Sequence, residues 1–184
     1  MRHVVIVSLC ACACLCGAFA AFADTPADPA PSTDTTSTTP VLDHAHLQRL
    51  IDRYRRATWH WQRVMLHPVT LTLADPPADP LERIRAWRRK SVAVQEIALH
   101  PPHLRAWTCI HHYEGAWTDA GPPYYGGLQM DLGFQHTYGQ ALLVRKGTAN
   151  NWSPLEQMWV AERALNAGRG FWPWPNTARY CGLL

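Results

Sequence analysis

Three scarcities narrow what this chain of 184 residues can be. Lysine is nearly absent, two residues against fifteen arginines, a bias that reflects a GC-rich genome more than a function. Long apolar runs are limited to one, residues 4–22, which excludes a chain with several membrane spans. Carboxylates are sparse downstream: after Pro102 only Glu114, Asp119, Asp131, Glu156 and Glu162 remain for acid or base chemistry. Motifs for bound groups are missing too. Gly126-Gly127 is too short to cradle a phosphate, and no HExxH spacing occurs. His111, His112 and His136 are the remaining metal-ligand candidates, but adjacent histidines point to different faces of a helix. No metal, no cofactor and no nucleic-acid partner are expected.

The apolar run follows Arg2 and His3 and ends at Ala21-Phe22-Ala23, the layout of a secretory signal peptide over 1–23 with the mature chain starting near Asp24. Ala18-Phe19-Ala20 offers a second cleavage point, and a single membrane anchor is the alternative. Cleavage removes four of the six cysteines and leaves Cys109 and Cys181. An even pair in an exported chain reads as one disulfide. The expected location is extracellular.

Residues 24–42 hold Pro, Thr, Ser, Asp and Ala with little to bury, so they read as a disordered linker. Asp43 can cap a first helix with Leu47, Leu50, Ile51, Tyr54, Thr58, Trp61, Val64 and Met65 at helical spacing, ended by His67-Pro68. Asp79, Pro80 and Glu82 mark a second start, with Leu81, Ile84, Trp87, Val94 and Ala98 as its stripe. The two helices are expected to pair as an antiparallel hairpin over 43–102 that supports a separate domain at 103–184. That hairpin carries ten Lys or Arg against six Asp or Glu; a solvated helix face is the ordinary reading of such charge, and a patch for anionic wall polymers or lipid headgroups is the functional alternative.

A third helix is expected from Pro102 to Glu114, with Leu104, Trp107 and Ile110 inward and Gly115 as a left-handed cap. Tyr124-Tyr125-Gly126-Gly127-Leu128-Gln129 suggests a small hairpin around a glycine turn. Asp131 caps a short helix over 132–138. Ser153, Pro154 and Glu156 open the last long helix, with Leu155, Met158, Trp159 and Leu165 inward and Gly168 at its end. The tail from Phe171 to Cys181 lacks periodicity. The fold class is α+β, mainly α, with a short β-hairpin.

Among the carboxylates, Glu156 has a capping task and Glu162 lies on a helix face where solvated charge is the default. Glu114 differs: it sits at a helix C-terminus, where the macrodipole disfavours a second negative charge, and near Tyr113, Trp117, Tyr124 and Tyr125. Both effects are expected to keep it protonated, as cleavage of a glycosidic bond requires.

The order Cys109-Ile110-His111-His112-Tyr113-Glu114-Gly115-Ala116-Trp117, then Tyr124-Tyr125-Gly126-Gly127-Leu128-Gln129-Met130, resembles the transglycosylase-like domain of the resuscitation-promoting factors, a family of the lysozyme-like superfamily. Val160-Ala161-Glu162-Arg163 and Cys181 supply its later landmarks, and the resemblance covers about 80 residues. Here four residues separate Cys109 from Glu114, where the family has the two adjacent, and Asp119-Ala120-Gly121-Pro122-Pro123 replaces the family's NTGNG-like turn. The resemblance implies a lysozyme-like fold acting as a monomer on peptidoglycan strands, with Glu114 in the catalytic acid position. It implies substrate contacts from Gln129 and the tyrosines; Trp117, Tyr124, Tyr125, Gln129 and Asp131 are the candidate groove residues.

The expected activity is lytic transglycosylase: Glu114 protonates the bond between N-acetylmuramic acid and N-acetylglucosamine, and the sugar's own C6 hydroxyl attacks C1. A hydrolytic lysozyme would need a second carboxylate, for which Asp131 and Asp119 are the candidates. A wall-binding or growth-signalling module without catalysis is the rival from another class. Cys109 with His111 or His112 as a thiol peptidase is incompatible with a Cys109–Cys181 bridge.

Overall fold

Local signals start the helices where expected. In the computed structural model, which describes residues 43–184, the Asp43 carboxylate accepts from Ala45 N and opens α1 (His44–Val64). Asp79 accepts from Glu82 N and, with Pro80 at the first position, opens α2 (Pro80–Ala98). α3 (Leu104–Glu114) buries Trp107 and Ile110. Two short strands follow, β1 (Tyr124–Tyr125) and β2 (Met130–Asp131), antiparallel with Tyr124 opposite Asp131 and Tyr125 opposite Met130. Then come α4 (Leu132–Lys146), a 3-10 turn (Ala149–Asn151), α5 (Pro154–Ala164), a π turn (Leu165–Arg169) and α6 (Pro175–Tyr180). The architecture is α+β and mainly α. Among the described residues no helix is long and apolar enough to cross a membrane. The leader and linker expectations, 1–23 and 24–42, lie outside the described residues.

The first two helices pair, but they do not form an antiparallel hairpin. Arg55 in the middle of α1 lies over the Trp87 ring of α2 at 5.7 Å, and the N-terminal half of each helix, through Ile51 and Arg83, walls one cavity. At the other end, Trp159 Nε1 donates to Ala98 O while Arg163, one turn along α5, donates to Arg63 O and Val64 O. Both C-termini therefore meet the same stretch of α5, and the helices run in the same direction. The connection makes this possible. A 21-residue helix is about 30 Å long, and the intervening segment, extended at about 3.3 Å per residue, is long enough to return over it. Its path is strapped to α1: Trp59 Nε1 donates to Thr70 O at 2.5 Å, and Gln62 both donates to Thr70 Oγ1 and accepts from Thr70 N.

Nor is the helix pair a detachable support. Val64, Met65, Val94 and Ala98 belong to the same buried cluster as Trp107, Ile110, Leu128, Met130, Leu142 and Val160. Residues 43–184 accordingly lie in one compact unit. Full burial of a side chain such as Ile110 or Leu128 contributes roughly 1.5–3 kcal/mol. Leu81, expected on the α2 stripe, is instead 40% exposed; the buried positions of that helix are Trp87, Ser91, Val94 and Ala98.

Other boundaries differ for specific reasons. Gly115 closes α3 with φ 166°, which is extended backbone and not the left-handed cap expected. The helix opened by Asp131 reaches Tyr138 as expected, breaks at Gly139, whose φ −124° and ψ 15° are not helical, and resumes to Lys146. At that break the Trp152 ring presses on the backbone: a Cβ on Gly139 would meet the ring at 2.5 Å. The tail, which shows no periodicity, contains the helix α6, held by the Cys109–Cys181 disulfide.

Two carboxylates expected to be unremarkable anchor the core. Glu162 is not solvated. It is 1% exposed and accepts from Trp107 Nε1 (2.8 Å), His103 N (2.7 Å) and the His103 ring. A charge there faces the N-terminus of α3, where the helix dipole favours it. Glu156 completes the capping box with Ser153, as expected, and also receives both a 2.8 Å ion pair from Lys146 and a 3.1 Å contact from His60 Nε2. Arg145 can only donate, so its 3.1 Å contact to His60 Nδ1 leaves the His60 proton on Nε2, directed at Glu156. Burial alone would raise the Glu156 carboxyl, but the hydrogen bonds from His60, Lys146 and Ser153 N and the Lys146 charge outweigh it and hold the group at about 2.

Candidate functional site

Glu114, the last residue of α3, faces a cavity of about 160 Å³ that it shares with Tyr124, Gln129, Pro173, Trp174, Pro175 and Asn176. Its Oε1 accepts from Thr177 Oγ1 at 2.7 Å. Two further depressions, of about 40 and 440 Å³, adjoin the first through Tyr124 and Pro173 and extend it past Asp131 and Phe134 to Tyr138 and Arg169. Together they make a groove between the β-hairpin and the tail, with Glu114 at one end.

The floor is built by α6 and by Trp174. Trp174 is buried, donates from Nε1 to Leu128 O at 2.6 Å, and packs edge-on against Trp107 and Phe134. That fixes Pro173 and Pro175 on either side of it along the groove. α6 lies against the second half of α3 in the opposite sense: Cys181, just past the end of α6, bonds Cys109 in the middle of α3, and Thr177, near the start of α6, meets Glu114 at the end of α3. The bridge spans a sequence separation of 72, and closing such a loop contributes about 4 kcal/mol on the chain-entropy model. As a disulfide, Cys109 has no thiolate to offer.

The hairpin turn supplies the opposite wall, and its glycines are required. Gly126 has φ 76°, and a side chain there would collide with Gln157; a Cβ on Gly127 would lie 2.6 Å from His111 Nδ1 and 2.7 Å from the Trp117 ring. Gln129 N closes the turn on Gly126 O at 3.0 Å. Gln129 itself has φ 47°, a left-handed conformation that costs a non-glycine residue about 1 kcal/mol. The cost is offset by its amide, which donates to Asp119 Oδ2 (2.8 Å) and to Gly126 O (3.0 Å) and holds the side chain on the cavity wall.

Of the candidate groove residues, Tyr124, Gln129 and Asp131 line the groove beside Glu114 or its extension. Trp117 and Tyr125 do not. Trp117 stacks on His111 with ring centroids 3.9 Å apart, and its carbonyl accepts from Gln157 Nε2; Tyr125 packs against the core. Tyr113 is turned outward against Tyr180. The aromatic surround of Glu114 is therefore Tyr124 and Trp174. His111 Nδ1 donates to Gly127 O at 3.2 Å, and among the described residues no three His, Cys, Asp or Glu side chains converge as a metal site.

Both other carboxylates near the groove accept hydrogen bonds that shape the chain around it. Asp119 Oδ1 accepts from Gly121 N and Oδ2 from Gln129, which makes it the organiser of the turn. Asp131 Oδ1 accepts from Phe134 N at 2.7 Å and caps α4.

Pro173, Trp174, Asn176 and Thr177 have no periodic signal in the sequence. A disulfide between Cys109 and Cys181 was the available clue, because antiparallel pairing from that anchor brings residue 177 beside residue 114. The buried Gln157, whose amide nitrogen shares its two protons among Trp117 O, Ala149 O and Trp152 O within 3.1 Å, carried no such clue.

No family model, curated protein or solved structure matches this chain.

Proposed function

We propose that this chain is an exported enzyme that cleaves peptidoglycan glycan strands as a lytic transglycosylase, with Glu114 as both acid and base. The observation that carries the reading is that Glu114 ends a groove made of three adjoining depressions while its carboxylate serves no helix cap or turn. The ordered resemblance around Glu114 and Tyr124 to Gln129 points to the same chemistry.

In the first step the protonated Glu114 gives its proton to the glycosidic oxygen as the C1–O bond breaks, and positive charge develops at C1. In the second, the carboxylate takes the proton of the muramic C6 hydroxyl as that oxygen bonds C1. Glu114 ends reprotonated, no water is consumed, and the product carries a 1,6-anhydro ring. Asp119 and Asp131 are engaged with backbone and side-chain donors, which favours this course over hydrolysis with a second carboxylate.

Purified peptidoglycan incubated with the protein should release muropeptides lighter by one water than hydrolytic products. Glu114→Gln should lower the rate by about 10²- to 10⁴-fold with the fold intact, since a general acid contributes that much. Products of hydrolysis would refute the transglycosylase course, and full activity of Glu114→Gln would remove Glu114 from the mechanism. Strand binding without any cleavage by the wild type would make the groove a recognition module.

A further inference from the structure

We propose that Arg169 forms an anion subsite in the groove, which takes a carboxylate carried by the strand away from the bond being cut. This rests on the reading of the groove as a glycan site.

The largest of the three adjoining depressions is not the one that holds Glu114. It is the stretch beyond Tyr124 and Pro173, about 440 Å³, walled by Phe134 and Tyr138 and by Thr137. Its two charged residues are Asp131 and Arg169. They are in different conditions. Asp131 is engaged with Phe134 N as the cap of α4. The exposed Arg169 side chain makes no hydrogen bond, ion pair or ring contact with any described residue; the guanidinium of Arg163, by contrast, is tied to Tyr138 O, Arg63 O and Val64 O.

The backbone that presents Arg169 is a built turn. It ends the π turn Leu165–Arg169 between Gly168 (φ 86°) and Gly170 (φ 55°), both in the left-handed region that favours glycine. Gly170 leads directly into Phe171, which packs on Trp107, so the turn is anchored on its downstream side.

An unpaired guanidinium on an aromatic and hydroxyl-bearing wall suits a sugar ring whose substituent ends in a carboxylate, because its fork matches that group in two-point geometry. Two parts of a peptidoglycan strand carry that chemistry: the lactyl group of an unsubstituted muramic acid, and the stem peptide. The uncharged sugars of the strand offer Arg169 no such partner.

The test uses the full chain carrying Glu114→Gln, so that strands are bound and not consumed, and compares it with the same chain carrying Arg169→Gln or Arg169→Lys. Binding is measured by calorimetry at low and high salt for three soluble strands of equal length: chitooligosaccharide without carboxylates, peptide-free glycan with lactyl carboxylates, and peptide-bearing glycan. Arg169→Gln should weaken binding of a carboxylate-bearing strand by about five-fold at low salt, the upper range for an exposed ion pair, and leave chitooligosaccharide unchanged. Arg169→Lys should recover part of the loss. Loss confined to the peptide-free strand assigns the lactyl group, and loss confined to the peptide-bearing strand assigns the stem. Equal affinities for all three strands in both arginine and glutamine forms would overturn the subsite while leaving the groove reading intact. Failure of every strand to bind would overturn both.

Discussion

Thr177 Oγ1 donates to Glu114 Oε1 across 2.7 Å, joining two helices whose contacting residues are 63 positions apart in the chain. The hydroxyl has one proton and a second acceptor, Trp174 O, at 3.4 Å. It can therefore point at Glu114 when that group is ionised and at Trp174 O when it is protonated. Thr177→Ala should lower kcat about ten-fold or more, the range for losing a hydrogen bond to a charged group, with little change in KM. Thr177→Ser should restore most of it. Undiminished kcat in the alanine variant, with an unchanged circular dichroism spectrum, would show that the contact does not serve the chemistry.

Asp131 separates the transglycosylase course from hydrolysis. Asparagine is as good a helix cap as aspartate, so Asp131→Asn should leave the melting temperature and the rate of anhydro-product formation nearly as they are. A stable but inactive variant would instead place a second carboxylate in the mechanism.

Glu156 predicts an acid limb in stability. Its carboxyl lies at about 2 in the folded chain against an ordinary value of 4.5, so the folded state binds its proton less readily than the unfolded one. The stabilisation is fully present above about 4.5 and is lost as pH falls towards 2. A shift of that size corresponds to roughly 3 kcal/mol. Chemical unfolding at pH 6, 4 and 2.5 should show wild type losing stability relative to Glu156→Gln across that window. A constant difference between the two would mean that the Lys146 and His60 contacts contribute nothing pH-dependent.

Removal of the first two helices should unfold the remainder. A chain beginning at His103 would leave the buried neighbours of Val64, Met65, Val94 and Ala98 exposed, and would strip Trp159 Nε1 and Arg163 of their carbonyl partners. Large cavities of this kind cost several kcal/mol each, against a total stability of about 5–15 kcal/mol. Such a chain should lack a cooperative thermal transition. A sharp transition near that of the full chain would show that residues 103–184 are an independent domain after all.

What the sequence by itself determined is local. Asp43, Asp79, Asp131 and Ser153 mark helix starts because a side-chain oxygen two or three residues from an orphan N–H satisfies it wherever the helix lies. The glycine turn at 126–127 and the pairing of the two cysteines were legible for equally local or compositional reasons, as was Glu114 at a helix end. The tertiary structure decided what depends on distant partners. Glu162 looks like a surface charge until Trp107 and His103 close over it, and the first two helices look like a hairpin until the strapped connection carries the chain back along α1. Trp117 and Tyr125 left the groove because His111 and the core took their faces, while Trp174 and Thr177 entered it because the disulfide draws α6 across the end of α3. Burial and long-range contact are sums over residues far apart in the chain, and no short window of sequence contains them.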